Sequence, residues 1–330
     1  MKSIFAASLL LAVGFPSWVI AQTCNNEIVD PAPFSWDTKT DVYGETYFTG
    51  TMEIALVENL SVGGETITTR VYRPGGQEGG TIPGPTLFMQ PGQKYVLKFH
   101  NTLPFEPRSP EHNVFKDPNV SNLHTHGLHI SGESPGDDVT RDFAGGEGGD
   151  FVYDIPADHM GGTFWYHAHH HGSTYLQVSA GAFGLIVIAD PPDDDPLNSI
   201  PATVAAMEER QLVVAYLDPG VAGTGGDTLI SGSLSPTWTV NGHVNGTLEV
   251  PPNTWQRWRV LLADRDAKMK TLSIGPGCDV ALMARDGVWR TEVPKPLPTN
   301  SIDPVSYTHL RAHETRYTIA YAVFCVKRGG

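Results

Sequence analysis

The sequence predicts an all-β protein arranged as two domains of ordinary size. Three observations lead there. A chain of 330 residues exceeds one typical domain. Gly 35 and Pro 26 are both high, while helix caps and apolar stripes of period 3.6 are scarce. Short β-rich segments with alternating apolar residues recur between turn residues along most of the chain.

The elements follow in order. Residues 1–21 read as a secretory signal: Lys2 supplies a short positive start, 4–13 an apolar run too short to span a bilayer, and Val19-Ile20-Ala21 a small-residue cleavage site before Gln22. No twin Arg is present, so a general secretory route is expected, with a periplasmic or extracellular destination. No other segment is apolar and long enough to cross a membrane. Residues 31–36 form a lead-in arm.

A first domain is expected over 40–190. Its strands are read at 47–56, 66–72, 87–90, 95–100, 122–130, 151–155, 162–169 and 184–189, with Pro91-Gly92 as a hairpin turn between the third and fourth. Asp190-Pro191-Pro192-Asp193-Asp194-Asp195-Pro196 is a linker by composition. A second domain is expected over 200–304, with strands at 211–217, 237–240, 247–250 and 256–262, and is expected to be cut near its end. Residues 305–315 match, eleven in a row, one reading frame of a transposon-type sequencing adapter. The tail 305–330 is therefore expected to be read-through, and the i, i+4 pair His309 and His313 is not taken as a metal site.

The net charge of −14 argues against nucleic acid as a partner. Cys24, Cys278 and Cys325 fit neither a zinc ribbon nor a Cys-x-x-Cys redox pair. In an oxidising compartment Cys24 and Cys278 have the option of pairing, which the sequence leaves open.

The chemistry concentrates in two histidine clusters. The first is His124-Thr125-His126-Gly127 and the second is His167-Ala168-His169, followed by His170 and His171. Of 13 histidines, eight fall between His124 and His171. Neutral imidazole is a common ligand for copper and zinc. Residues i and i+2 of a strand share a face, so each His-x-His aims two imidazoles at one place. Two such pairs on neighbouring strands supply four nitrogen donors. His129, His170 and His171 are expected to support the ligands or to be solvated, His159 to lie at the surface, and His243 to be a solvated loop residue.

These residues carry a resemblance. From about residue 42 to 302 the chain resembles the first two domains of a three-domain multicopper oxidase of bacterial type. The likeness rests on Ile82-Pro83-Gly84-Pro85-Thr86-Leu87 with Pro91-Gly92, on Asn122-Leu123-His124-Thr125-His126-Gly127, and on Gly162-Thr163-Phe164-Trp165-Tyr166-His167-Ala168-His169. Val240-Asn241-Gly242 and Gln256-Arg257-Trp258-Arg259 extend it into the second domain. It implies two tandem cupredoxin-like (plastocyanin-like) Greek-key β-sandwiches. It also implies a trinuclear copper cluster, for which His124 would hold the type 2 copper, and His126, His167 and His169 the type 3 pair. Asp137 stands where the family often has an acidic residue that relays protons; its plainer reading is a polar loop residue beside Asp138. The implied reaction is one-electron oxidation of a phenol or a metal ion, coupled to reduction of O2 to water.

The departure from the family is large. The remaining cluster ligands and the type 1 copper site, a Cys flanked by two His, have no counterpart here. The expectation is therefore a fragment without its third domain, holding half of the cluster's ligands and inactive alone. The alternative is a non-catalytic copper-binding or assembly module. A cupin-type metal enzyme, which also uses His-x-His, would want a Glu where Ile130 and Ser131 stand.

Overall fold

The computed structural model describes residues 26–190, 202–220 and 229–264, with shorter segments at 9–12, 271–274, 278–285, 288–290, 295–296, 301–302 and 320–328. Strands dominate. Among the described residues the helices are the seven-residue Thr174–Ala180 and the four-residue Ala202–Ala205.

Two sheets build the first unit. One runs in the order Ser231–Gly232, Glu65–Pro74, Thr46–Val62, Lys94–Asn101, Gly148–Asp154, with Asp37–Thr40 also paired to Thr46–Val62. The other has four strands in the order Leu87–Met89, Phe183–Ile188, Gly162–His167, His124–His126. Along Lys94–Asn101 burial alternates, with Tyr95, Leu97, Phe99 and Asn101 inward, as a half-buried strand requires. These residues meet Phe164, Tyr166, Ile186 and Ile188 of the facing sheet in one core.

Gly162–His167 and Phe183–Ile188 are instead buried along their whole length. The cause is a second core on their other face. Trp165, Phe183 and Leu185 pack there with Val213, Ala215, Leu217, Leu261 and Ala263 of the second unit. The strand Glu208–Leu217 divides itself in the same way, its even-numbered Leu212 and Val214 entering a third core with Trp258, Val260 and Leu262. Three cores thus lie side by side, separated by sheets that are apolar on both faces.

The second unit's sheet runs in the order Thr237–Val240, Glu208–Leu217, Trp255–Ala263, Ala320–Arg328, Cys278–Arg285, Val288–Trp289, with Lys295–Pro296 also on Cys278–Arg285. Ala320–Arg328, inside the segment expected to be adapter-derived, pairs antiparallel on both sides. Residues 305–319 and 329–330 of that segment lie outside the described residues. In the expected signal segment, Leu9–Ala12 pairs with Thr271–Ile274. Cys278 is buried, and Cys24 lies outside the described residues.

Several expected elements differ. Pro91-Gly92 is not a hairpin turn. Leu87–Met89 pairs parallel with Phe183–Ile188, whereas Lys94–Asn101 joins the other sheet, so the turn carries the chain across the sandwich. Residues 247–250 form no strand; Thr247 makes an isolated bridge to Glu27, just ahead of the expected lead-in arm. The stretch 26–36 thus spans both units, since Phe34 N–H donates to Thr86 O at 2.8 Å.

A buried ion network joins the units. Arg259 reaches Glu209 at 2.8 Å, Asp190 at 3.3 Å and Thr163 Oγ1 at 3.0 Å, and Arg257 reaches Asp190 at 2.8 Å and also contacts Glu209. The paired guanidinium groups hold the Glu209 carboxyl below its ordinary pKa, against the opposing effect of burial. Removing one partner leaves a buried uncompensated charge. We expect Arg259→Ala to cost about 3–5 kcal/mol in urea unfolding, and a loss under about 1 kcal/mol would show that the network behaves as a surface one.

Candidate metal centre

The first histidine motif sits on an edge strand of only three residues. His124–His126 pairs antiparallel with Gly162–His167, and His124 stands opposite His167. The expected strand 122–130 stops there because Gly127 takes φ 93°, a conformation that favours glycine. Within the strand, the i, i+2 rule places both imidazoles on one face, with ring centroids 5.4 Å apart. Thr125 points the other way and is buried. The second motif straddles a strand end: His167 is the last residue of Gly162–His167, and His169 lies just beyond it.

All four predicted histidines come together. His124 is 5.2 Å from His167 and 5.0 Å from His169, centroid to centroid, and His167 is 5.6 Å from both His126 and His169. One nitrogen from each of His124, His126 and His167 falls within 4.8 Å of the others, a spacing that suits a shared metal ion. His169 flanks this triad, beside His124.

Tautomers follow from the partners. His167 Nδ1 lies 2.9 Å from Ala168 O, which only accepts, so Nδ1 carries the proton and Nε2 is a bare donor toward the cluster. That Nε2 is 3.4 Å from His126 Nδ1. Two nitrogens bound to one metal at about 2.0 Å in tetrahedral geometry stand about 3.3 Å apart. The pair therefore already has the separation that a single ion needs.

Asp137 is the acidic member. Its Oδ1 accepts from Thr125 N–H at 2.8 Å. Its Oδ2 is 2.7 Å from His124 Nδ1, a contact of ion-pair length whose direction lies outside that of a hydrogen bond. The carboxylate thus grips the first motif through both backbone and ring. This leaves His124 Nε2 as the nitrogen available to a ligand.

Burial sets the charge state. It pushes His126 down to about 3 and His169 down to about 4, and it holds His167 well below the ordinary value; mutual repulsion among the rings adds to each shift. At neutral pH these three imidazoles are neutral, the form that binds metals. Trp165 stacks on His167 at 4.0 Å and 26°, fixing the ring and excluding water from one side.

The other histidines have different duties. His170 is buried between Asp142, 3.0 Å from Nδ1, and Asp117, 3.4 Å from Nε2. His159 is buried rather than at the surface: its Nε2 accepts from His129 N–H at 3.0 Å, and its Nδ1 lies 2.8 Å from Met160 O. His243 Nδ1 contacts Asn26 Oδ1 at 2.9 Å, which ties its loop to the stretch 26–36 rather than leaving it solvated. His309 and His313 lie outside the described residues.

Residues 68–193 match the multicopper oxidase family model. Over those residues the chain is similar to a multicopper oxidase domain. A laccase from Bacillus subtilis (strain 168) is 29% identical over 238 residues, covering 63% of this chain and 44% of that protein. A rice (Oryza sativa subsp. japonica) protein named multicopper oxidase LPR1 homolog 5 is 31% identical over 131 residues, 36% of this chain and 20% of that protein. The chain thus spans less than half the length of either. In structure it is similar to a multi-copper oxidase from Pediococcus acidilactici, with TM-score 0.61 and 18% identity over 96% of this chain and 57% of that one. A multicopper oxidase from Campylobacter jejuni gives TM-score 0.59 and 19% identity, covering 97% and 57%. These likenesses support the cupredoxin-like architecture. The multicopper oxidase family binds copper, and the His124, His126 and His167 donors suit that metal, because imidazoles accept copper in several geometries.

The lowered pKa values fix a pH dependence. A histidine depressed in the folded state takes up its proton more readily when unfolded. Its contribution to stability is complete above the ordinary value near 6.5 and is lost as pH falls from there toward about 3 to 4. We expect the melting temperature of the metal-free chain to fall by roughly 5 °C between pH 7 and pH 5. His126→Gln should flatten that slope. Thermal melts followed by circular dichroism decide it, and equal slopes in both proteins would contradict the assignment.

Proposed function

We propose that this chain supplies the oxygen-reducing half of a secreted copper oxidase, with His124 serving the type 2 position and His126, His167 and His169 the type 3 pair. The observation that carries the reading is the 3.4 Å separation of His126 Nδ1 and His167 Nε2 inside the His124–His126–His167 triad. Bound copper would supply the one-electron steps that pass reducing equivalents from a donor, a phenol or a metal ion, to O2.

The chain's own residues prepare this. Burial keeps the His126, His167 and His169 imidazoles neutral, so metal binding there at pH 7 displaces no more than the proton between His126 and His167. The Asp137 carboxylate orients His124 and would serve as a proton relay toward reduced oxygen. The remaining donors, and the site that receives electrons from substrate, would come from a further cupredoxin domain. Periplasmic or extracellular residence agrees with the signal-like start, and no described helix is long and apolar enough to cross a membrane. The second reading, a copper-binding module without catalysis, shares the same ligands and differs only in turnover.

The test is a titration of the purified chain with Cu(II), followed by electron paramagnetic resonance and by oxidation of a phenolic dye. Uptake of copper with nitrogen hyperfine structure is expected, weakened about a hundredfold in His167→Ala, with dye oxidation at background. Robust turnover with an intense blue absorbance band would defeat the half-site assignment, and absence of copper uptake would defeat the metal assignment.

A further inference from the structure

Asn122 lies two residues before the first ligand and is completely buried. Its side chain uses both donors and one acceptor. Oδ1 accepts from the backbone N–H of His169 at 2.7 Å. Nδ2 donates to Val139 O at 3.1 Å and to Arg141 O at 3.0 Å. Its own carbonyl accepts from Tyr72 O–H at 2.6 Å. The amide orientation is unambiguous, because exchanging O and N would set oxygen against two carbonyls and nitrogen against an N–H.

One amide therefore ties three pieces of chain that no ladder joins at that point. It belongs to the lead-in of the first motif. Its acceptor holds the residue at which the second motif leaves its strand. Its donors hold residues 139 and 141, downstream of Asp137, whose carboxylate braces Thr125 and His124. His169 has left the strand Gly162–His167, so sheet pairing no longer fixes it. The Asn122 bond takes over where the sheet stops.

We propose that Asn122 is a positioning residue that sets His169 and the Asp137 loop in register with the His124–His126–His167 triad. The proposal rests on the copper reading of that triad. Neither Asp nor Ala replaces it. Asp keeps the acceptor for His169 but turns a carboxylate toward two carbonyls, and Ala releases all three partners.

The experiment compares the chain with Asn122→Ala, Asn122→Asp and Leu97→Ala, the last a core change outside both motifs that controls for lost stability. Two quantities are read: Cu(II) affinity by titration, and hydrogen exchange of the His169 amide in the metal-free protein by NMR. We expect Asn122→Ala to bind Cu(II) about tenfold to a hundredfold more weakly than both the parent and Leu97→Ala, with faster exchange at His169. Asn122→Asp should keep the His169 amide protected and lose less affinity; it carries the test if the alanine variant does not fold. Parent-like affinity in a folded Asn122 variant, or a loss no larger than that of Leu97→Ala, would overturn the proposal alone. No copper uptake by the parent chain would overturn the copper reading and this proposal together.

Discussion

The structure depends on satisfying one stretch of irregular backbone that runs through the interior. Residues 117–122 are buried or nearly so, yet they belong to no regular strand. Its polar groups need partners, and beyond the bridge of Ser121 to Phe143 and the Val120 N–H to Asp117 O bond the backbone provides few. Buried side chains supply them. Gln177 Nε2 donates to Pro118 O and Val120 O, and Asn101 Nδ2 donates to Asn119 O. Ser173 Oγ donates to Val120 O, and Tyr72 O–H to Asn122 O. Arg70 reaches Asn119 Oδ1 through two nitrogens, at 2.7 and 2.9 Å. This segment delivers His124 to the sheet edge, so that residue's place is fixed by polar groups from the strands Glu65–Pro74 and Lys94–Asn101 of the facing sheet and from the helix Thr174–Ala180 with Ser173 before it.

The second motif is fixed by a different force. Gly162–His167 lies between two apolar cores, one claiming Phe164 and Tyr166 and the other Trp165. Trp165 illustrates the consequence: its body belongs to the inter-unit core while its face stacks on His167. The His167 ring is thereby coupled to the packing of the second unit, and the ion network of Arg257, Arg259, Glu209 and Asp190 closes the same junction on its polar side. One motif is held by hydrogen bonds and the other by apolar packing. Three residue pairs of one ladder, His124 with His167 among them, bring the two into contact.

The legible and illegible parts of this site differ in their physical basis. The strand periodicity that puts His124 and His126 on one face is a local property, so the sequence showed it. The four histidines also stand out by type and spacing. The Pro91-Gly92 turn was misread because a tight turn looks alike whether its strands pair with each other or enter opposite sheets. The end of the first motif's strand was hidden in Gly127, whose backbone angle decides what its neighbours' alternation suggested. His159 looked like a surface residue because its partner His129 lies 30 residues away in sequence. Asn122 was visible as part of a motif, but its work was not, since its three side-chain partners lie 17 to 47 residues away.

Burial gives the site its character and its cost. Three imidazoles and a carboxylate within a few ångströms would repel or attract strongly if charged, and desolvation settles the matter by keeping the rings neutral. The rings then lack good partners: His124 Nδ1 faces a carboxylate off-axis, and His126 and His167 share a long contact with each other. A cluster so arranged is incompletely satisfied by protein alone. A cation replacing the His126–His167 contact would gain nitrogen lone pairs already converged on it, with Asp137 offsetting part of its charge. The imperfect satisfaction of the metal-free rings and their readiness for a metal are thus the same physical fact.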